Sequence, residues 1–340
     1  MKSIIGGEYK LSQDLLKISN DKPSQRYHAS GRAALFKIMD AVRKSVGVEM
    51  PVICVPDYIC KSVVETLVDS NNKLIFYHVN ETLLPSDDFF RLIQEADAVL
   101  IVNYFGLMEI SNLITNIREK NCNIRIIVDD VMNYYGFGNY EGYDYAFTSF
   151  RKWFAVPDGA EIKSNILEGE TILPTLTENN FYKYKMAGNI LKNYRELVGD
   201  DICLSLLQKG EELMDKEYIA SSSKYTGYLM ARIDKTAFAE RRKDNAKILH
   251  EGLNALGINH IYRQDAIPMF IPIFLRERRD AVRKSLFDNN IFCPIHWPAD
   301  WQKKEMDINP LYKWELSLIC DQRYGEKEML QQLEILKDAI

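Results

Sequence analysis

Short apolar runs alternate with helix-like stretches over the first half of the chain. The runs lie at 52–55, 74–77, 98–102, 124–128 and 145–147 and are apolar throughout except at Arg125, which is typical of strands buried on both faces. Before the first run, apolar residues over 31–42 recur with a period of about 3.6 residues and predict a helix, and further helices are predicted between the runs, over 60–68, 85–95 and 111–120. Strands and helices in this alternation predict a doubly wound, mostly parallel sheet with helices on both faces.

The second half of the chain has a different pattern. Residues 161–225 are polar and helix-like, and Asp234 is a good N-cap for a long helix that follows it. A strand-like segment at 269–275, a helix at 280–287 and an apolar run at 291–293 come next. These patterns predict a large domain over residues 1–225 and a smaller α+β domain over residues 226–340.

Composition and charge narrow the classes of function. The 340 residues carry a formal net charge of −5, which argues against a surface for nucleic acid. The six cysteines are scattered, without the spacing typical of zinc ligands or of a disulfide framework. The chain has neither a signal-peptide pattern nor an uncharged apolar stretch of the roughly 20 residues that span a bilayer. We expect a cytoplasmic protein without a metal, a membrane partner or a nucleic-acid partner.

Ligands of doubly wound sheets gather at the carboxyl ends of the strands, so polar residues after the apolar runs are the candidates for chemistry. The first candidate is Ser30-Gly31-Arg32-Ala33, at the start of a predicted helix. Unpaired N–H groups at the positive end of a helix dipole suit a phosphate group. A plain N-cap is the alternative interpretation of this fragment.

The second candidate is the acid pair Asp129-Asp130, at the end of a predicted buried strand. Desolvation of a carboxylate is costly, so at least one of the two should have a strong partner. A protonated pyridine nitrogen would be such a partner. A loop-capping aspartate and a metal ligand are the alternatives, and the lack of a nearby histidine or third acid makes the metal less favoured.

The third candidate is Ser149-Phe150-Arg151-Lys152, which follows the last strand of the first half and is flanked by aromatic residues. A lysine in such surroundings can lose its proton and attack an aldehyde. Ser149 could bind the same phosphate as the helix start. A surface pair of basic residues is the alternative interpretation.

Together the three fragments resemble the DegT/DnrJ/StrS-type sugar aminotransferase family, within fold type I of the pyridoxal-phosphate enzymes. The resemblance spans most of the chain, from residues 5–9 to 320–324. It implies an aspartate-aminotransferase-like, three-layer αβα domain with a mostly parallel sheet of seven strands. It also implies pyridoxal 5′-phosphate as cofactor and a homodimer with the active site at the subunit interface.

The resemblance assigns roles to individual residues. Lys152 matches the lysine that holds the cofactor as a Schiff base, and Asp130 matches the partner of the pyridine nitrogen, with Asp129 in the place of a preceding glutamate. The remaining cofactor contacts that it implies are the phosphate-binding turn Gly31, Arg32 and Ala33, the phosphate-binding Ser149, and Asn133 near the ring hydroxyl.

Other positions are less specific. The aromatic residue that stacks on the cofactor ring in this family falls in register on Cys60, and Tyr58 is our alternative for it. His296 and Trp297, between two prolines, are candidates for the substrate pocket, with packing in the small domain as the competing interpretation. Tyr225 precedes the long helix where related enzymes reach into the neighbouring subunit, although a plain loop explains it as well.

The chain also departs from the family pattern. The serine-to-lysine spacing is shorter, and Val156-Pro157-Asp158-Gly159-Ala160 replaces a glycine-rich stretch. We therefore expect a divergent branch, with transamination from glutamate to a keto sugar nucleotide or a similar carbonyl acceptor, as in polysaccharide biosynthesis. Other pyridoxal-phosphate chemistry, as in a lyase or dehydratase, and a cofactor-binding protein without turnover are the alternatives. A nicotinamide site is disfavoured because no Gly-x-Gly-x-x-Gly follows a strand.

Overall fold

A computed structural model describes residues 4–11, 27–166, 172–299 and 308–340. Ten strands lie in these ranges: β1 (Ile5–Gly6), β2 (Val52–Pro56), β3 (Lys73–Tyr77), β4 (Ala98–Val102), β5 (Arg125–Asp129), β6 (Tyr145–Ser149), β7 (Ala160–Ser164), β8 (Ile271–Phe274), β9 (Ile291–Phe292) and β10 (Glu315–Leu318).

The described helices cover both faces of the sheet and the C-terminal part: α1 (Gly31–Val46), α2 (Lys61–Asp69), α3 (Phe89–Leu92), α4 (Ile110–Lys120), α5 (Tyr182–Leu191), α6 (Arg195–Val198), α7 (Asp200–Met214), α8 (Lys224–Met230), α9 (Lys235–Leu256), α10 (Arg279–Asp288), α11 (Leu311–Trp314) and α12 (Glu326–Ala339). None of them is long and apolar enough to cross a membrane.

The main sheet has the strand order β3-β2-β4-β5-β6-β7. Strands β2 to β6 are parallel to one another, and β7 runs antiparallel to β6. The predicted doubly wound αβα architecture is confirmed. In the described ranges the sheet has six strands rather than the seven expected.

Strand β7 lies where we predicted helix. Its sequence, Ala-Glu-Ile-Lys-Ser, alternates apolar and polar residues, and it occupies the sheet edge, where one face of a strand stays solvated. The predicted helix over 85–95 is also much shorter than expected. Residues Phe89–Leu92 alone are helical, and Pro85 pairs instead with Val79 in an isolated bridge.

The C-terminal part packs around two small sheets. Strand β10 pairs antiparallel with β8, and the N-terminal β1 pairs parallel with β9. These sheets share a buried apolar cluster with α9, α10 and α12, separate from the cluster of the main sheet. The domain boundary at 225/226 remains a prediction.

Helix capping fixes the two helix starts singled out from the sequence. The side chain of Ser30 accepts a hydrogen bond from the N–H of Ala33 at the start of α1. The side chain of Asp234 accepts one from the N–H of Ala237 at the start of α9. Both helices end on a glycine in the left-handed region, Gly47 and Gly257, as expected for C-caps.

Candidate active site

A cavity of about 360 Å³ opens at the carboxyl ends of β4, β5 and β6, beside the start of α1. The three fragments singled out from the sequence meet there. The residues of those fragments that line it are Ser30, Gly31, Arg32, Asp129, Ser149, Arg151 and Lys152. Because these residues lie up to 122 positions apart, the sheet topology is what brings them together.

One end of the cavity offers hydrogen-bond donors without partners. Among the described residues, no acceptor binds the N–H of Gly31 or Arg32, the first two residues of α1. The hydroxyl of Ser149, likewise without a hydrogen bond in the described part of the chain, faces the same space. Two helix N-terminal N–H groups and a hydroxyl form an anion-binding arrangement.

Ala33 does not belong to this arrangement, contrary to the resemblance. Its N–H is held by the Oγ of Ser30 at 3.2 Å, and its side chain is buried against Phe181 and Met214. Because the N–H of Ala33 already donates to the N-cap residue Ser30, it is not available to bind an anion in the cavity. The side chain of Arg32 pairs with Asp215 at the cavity rim.

Asp129, rather than Asp130, faces the cavity. One oxygen of Asp129 accepts a hydrogen bond from the N–H of Val131 at 3.0 Å. The other oxygen has no hydrogen-bond partner among the described residues, although the side chain is only 6% exposed. Burial raises the pKa of Asp129 to about 7, the negative charge of Asp130 adds to the rise, and the N–H of Val131 opposes it.

Asp130 lies on the opposite side of the strand end. Its carboxylate accepts hydrogen bonds from the N–H of Gly138 at 3.0 Å, the Nδ2 of Asn133 at 3.0 Å and the hydroxyl of Tyr140. Burial raises its pKa to about 6, against the opposing effect of these three donors. The carboxylate thus holds the 133–140 loop, which differs from the role that the resemblance implies.

Asn133 follows Asp130 away from the cavity. It borders a separate cavity of about 260 Å³, together with Asn103 and Tyr140. Its Nδ2 donates to both Asp130 and Tyr140. A contact of Asn133 with a ligand bound beside Lys152 is therefore not part of this geometry.

Lys152 lies at the end of a 3₁₀ turn, Phe150–Lys152, that follows β6 directly. Lys152 is exposed to solvent and borders two cavities, and no hydrogen bond or ion pair within the described residues holds its amine. The positive charge of Arg151 and then burial lower the pKa of Lys152, and the carboxylate of Glu211 acts in the opposite direction. A lysine amine with a lowered pKa is a better nucleophile near neutral pH.

A charged network that we did not predict supports this turn. The guanidinium of Arg151 forms a bidentate pair with Glu211, at 2.8 and 3.3 Å. Glu211 also accepts from the buried amine of Lys185 at 2.6 Å, and Lys185 reaches Glu8 at 3.1 Å. The network could not be predicted from a local sequence motif, because its members come from the N-terminal segment, the turn and helices α5 and α7.

The cavity wall contains Cys60 and not Tyr58. The hydroxyl of Tyr58 is fully buried and has no hydrogen-bond partner among the residues that the structure describes, and its ring packs on Tyr104, Trp297 and Tyr312. Cys60, the residue in register with the family's stacking aromatic, lines the cavity, whereas Tyr58 does not. A thiol thus replaces the expected aromatic ring.

His296 and Trp297 line the cavity, as predicted for substrate residues. His296 also borders a second cavity of about 340 Å³, which adjoins the first along Arg151 and Lys152. Tyr225 is 39% exposed and packs on Tyr182, outside the cavities formed by a single copy of the chain.

Solved structures resemble the whole of this architecture. The Streptococcus pneumoniae protein Spr1654, assigned by name to the sugar aminotransferases and solved in its PLP form, superimposes with a TM-score of 0.67 at 11% identity, over 99% of this chain and 98% of that one. The chain has fold type I. A DegT/DnrJ/EryC1/StrS aminotransferase from Brucella abortus gives a TM-score of 0.63 at 17% identity, covering 92% of this chain and 85% of that one.

Fold type I also carries other chemistry. A serine palmitoyltransferase from S. paucimobilis gives a TM-score of 0.54 at 13% identity, over 93% of this chain and 71% of that one. Neither a family model nor a curated protein matches the sequence. At such low identities the comparisons establish the fold, and the function has to be argued from the site.

Proposed function

We propose that the chain is a pyridoxal-phosphate-dependent aminotransferase of the DegT/DnrJ/StrS type. It would transfer an amino group from a small amino donor, with glutamate as the first choice, to a carbonyl acceptor such as a keto sugar nucleotide. The observation that carries the proposal is that one cavity is lined by Lys152 together with two groups that lack partners among the described residues: a buried carboxylate oxygen of Asp129 without a donor, and two helix N–H groups without acceptors.

The residues of the cavity fit the cofactor group by group. The N–H groups of Gly31 and Arg32 and the hydroxyl of Ser149 would hold the phosphate, which is the kind of anion that a helix start binds. Asp129 would hold the protonated ring nitrogen, because its second oxygen needs a donor and its pKa is raised by burial. Lys152 would bond to the aldehyde carbon through its amine.

When bound, the cofactor supplies an electron-withdrawing ring that stabilises negative charge on the substrate carbon, and a carbon atom that carries the amino group. The chain supplies the rest. The Lys152 amine, once released, is the proton carrier closest to the reacting atoms, and its lowered pKa lets it accept a proton near neutral pH. Asp129 would keep its charge opposite a cationic ring, and Cys60 and Val131 would form part of the cavity wall around it.

The adjoining cavity supports an anionic substrate. Arg151, Lys152, Arg242 and Arg323 line it together with Glu8 and Asp321, and Lys152 lies at the junction of the two cavities. Arg151 is paired with Glu211 and Arg323 with Asp321, so the cationic character comes mainly from Lys152 and Arg242. A cationic cleft raises the local concentration of anions. A glutamate carboxylate and the phosphates of a sugar nucleotide both satisfy this condition.

A homodimer is part of the proposal. Large apolar side chains are exposed along the helical segment between β7 and α9, which supports a second copy packing there: Leu173, Leu176, Ile190, Tyr194, Leu197, Ile202, Leu204, Ile219 and Tyr228. Tyr225 lies in the same region and would approach the site of the other copy. Light scattering on the wild type and on Leu197→Asp measures this, and a monomeric wild type would contradict it.

The test of the proposal is cofactor loading followed by a half-reaction. Purified protein with pyridoxal phosphate should gain a band at the edge of the visible range that borohydride removes, and mass spectrometry should then find a pyridoxyl group on Lys152. Addition of glutamate should convert the band to that of the amine form of the cofactor. Lys152→Ala should lose both changes. Lys61→Ala is the matched control, because Lys61 borders the same cavity on an exposed side chain.

The outcomes separate the competing functions. A band without conversion by any amino donor would indicate a cofactor binder or an enzyme of another reaction type. A reduced pyridoxyl group on a different lysine would refute the assignment of Lys152.

A further inference from the structure

A buried carboxylate, a serine and a histidine form a relay that ends at the cavity. The Oγ of Ser317 lies 2.5 Å from Oε1 of Glu315 and 2.8 Å from Nδ1 of His296. The other carboxylate oxygen of Glu315 accepts the backbone N–H of His296 at 2.7 Å. Glu315 and Ser317 lie on β10 and are fully buried, whereas His296 borders both cavities next to Lys152.

The hydrogen-bond directions in this relay are determined by the charge of Glu315. An ionised carboxylate only accepts, so the single hydroxyl proton of Ser317 points to Glu315. Ser317 Oγ must then accept from His296, which places the proton of the neutral imidazole on Nδ1. The Nε2 atom, on the opposite edge of the ring, is left with a lone pair, and His296 lines both cavities.

Nothing in the described part of the chain binds Nε2 of His296. The ring is fixed on its other sides by Phe105 and Phe270, with centroid distances of 5.5 and 5.2 Å. A histidine held by a carboxylate at Nδ1, with Nε2 open, is the arrangement of a general base. Here the serine transmits the effect of the carboxylate, since Nδ1 lies 3.8 Å from Oε1 of Glu315.

We propose that His296 is the base that removes a proton from the ammonium group of the incoming amino donor, with Ser317 and Glu315 as positioning residues. The inference rests on the proposed aminotransferase function, which leaves this step unassigned. One N–H bond of the ammonium breaks, its electron pair stays on the nitrogen, and the proton forms the new bond at Nε2. The positive charge moves to the imidazole, where Glu315 stabilises it. The proton returns when the amine product leaves as an ammonium ion.

Several charged groups surround this proton acceptor. Glu315 faces His296 from β10, and Arg151 and Lys152 face it from the 3₁₀ turn across the cavity junction. Arg242 of α9 and Asp321, after β10, lie further along the same wall. Of these groups in the described structure, Glu315 is the one linked to the imidazole ring through the hydroxyl of Ser317, so its removal should act most strongly on His296.

The first test uses the cofactor-free protein and nuclear magnetic resonance of labelled histidines. The chain has five histidines, and His296→Gln identifies the signal in question. In the wild type the neutral ring should be protonated on Nδ1. Ser317→Ala removes the acceptor of that proton, so the preference for Nδ1 should be lost. A wild-type ring protonated on Nε2 would overturn the relay, whatever the enzyme does.

The second test measures the half-reaction of the loaded protein with its amino donor against pH. His296→Gln should lower kcat/KM by about 10²- to 10⁴-fold, the usual contribution of a general base, and remove the acidic limb of the profile. Glu315→Gln should shift that limb to lower pH, since loss of the negative charge makes the imidazolium less stable. Ser317→Ala covers the case in which Glu315→Gln does not fold, and should shift the limb in the same direction.

A matched control separates this role from general effects of histidine loss. His78→Gln removes another histidine with a carboxylate partner, since its Nδ1 lies 2.7 Å from Asp57, and neither His78 nor Asp57 lines either cavity in the described structure. It should leave the profile unchanged. An unchanged acidic limb in His296→Gln would overturn the proposal. A wild type that protonates Nδ1 but reacts with no amino donor would overturn the aminotransferase function, and with it this step.

Discussion

Replacing Asp129 and Asp130 separately by alanine should have opposite consequences, although the residues are adjacent. Asp130 accepts three hydrogen bonds that hold the 133–140 loop, whereas Asp129 accepts one and faces the cavity. At pH 5 both carboxyls are largely neutral in the folded protein, because burial raises their pKa values to about 7 and about 6. Hydrogen bonding then decides the cost of each substitution.

The expected costs at pH 5 follow from the number of donors left without an acceptor. Asp130→Ala leaves three donors without their acceptor, one of them in a buried and two in partly buried hydrogen bonds. Each is worth on the order of 1 kcal/mol, so the free energy of unfolding should fall by up to about 3 kcal/mol. Asp129→Ala frees one N–H beside a cavity that water can fill, so the loss should stay below about 1 kcal/mol. Urea unfolding of the two cofactor-free variants measures this difference.

The pH dependence provides a second, independent signature of Asp129. Its pKa is higher in the folded chain than in the unfolded chain, so its stabilising contribution is complete below the unfolded value and is lost as pH rises through about 7. Because the pKa rises from 3.8 to about 7 on folding, the free energy of unfolding should be lower by on the order of 4 kcal/mol well above pH 7 than below the unfolded pKa. The wild type without cofactor should therefore lose stability between pH 5 and pH 8, and Asp129→Ala should lose distinctly less.

Cofactor binding decides which acid faces the ring. Asp129→Ala should weaken pyridoxal phosphate binding and abolish conversion by the amino donor, because a buried cationic ring loses its partner. Asp130→Ala should retain the cofactor band once folded. The reverse pattern, with the band lost in Asp130→Ala and kept in Asp129→Ala, would refute the geometry and restore the assignment that the resemblance implied.

Three further predictions concern the phosphate end, the lysine and the backbone. Ser149→Ala should raise the Kd of pyridoxal phosphate about 10-fold or more in a fluorescence titration, since it removes one hydrogen bond to a charged group. Glu211→Gln should lower the pKa of Lys152, because the Glu211 charge raises it, and the pH dependence of acetylation of Lys152 in the cofactor-free protein should detect the shift. Gly159→Ala should lower the free energy of unfolding by about 2 kcal/mol or more, because Gly159 has φ +105° and a Cβ there would lie 2.7 Å from Thr226. An unchanged Kd, an unchanged pKa of Lys152 or an unchanged free energy of unfolding would each contradict the corresponding prediction.

Much of the fold could be predicted because apolar runs report burial directly. The runs at 52–55, 98–102 and 124–128 each become a strand of the main sheet, within one or two residues of the predicted bounds. Strand β7 could not be found in this way, since an edge strand keeps polar residues on its solvated face. The pairing of β7 with β6 becomes visible only in the three-dimensional structure.

The members of the site could be predicted, but the directions of their side chains could not. Side chains alternate along a strand, so adjacent acids at its end must face opposite sides, and the sequence alone does not say which faces the ligand. The register supplies the answer: Asp129 lies beside Val102 and Phe147, which also line the cavity. Tyr58 and Cys60 lie outside a strand, where side chains follow no regular alternation. The sequence alone therefore could not decide which of the two reaches the cavity.

The shortened spacing between Ser149 and Lys152 is compatible with a shared ligand because of the turn that joins them. Ser149 ends β6 in an extended conformation, and the next three residues form a 3₁₀ turn. A 3₁₀ turn has three residues per turn, so a residue three positions further on returns to the same side. The N–H of Trp153, bonded to the carbonyl of Phe150 at 2.9 Å, closes the turn. An insertion into this turn would rotate Lys152 away from the side on which Ser149 lies. The three-residue spacing is therefore sufficient to bring both side chains to one cavity.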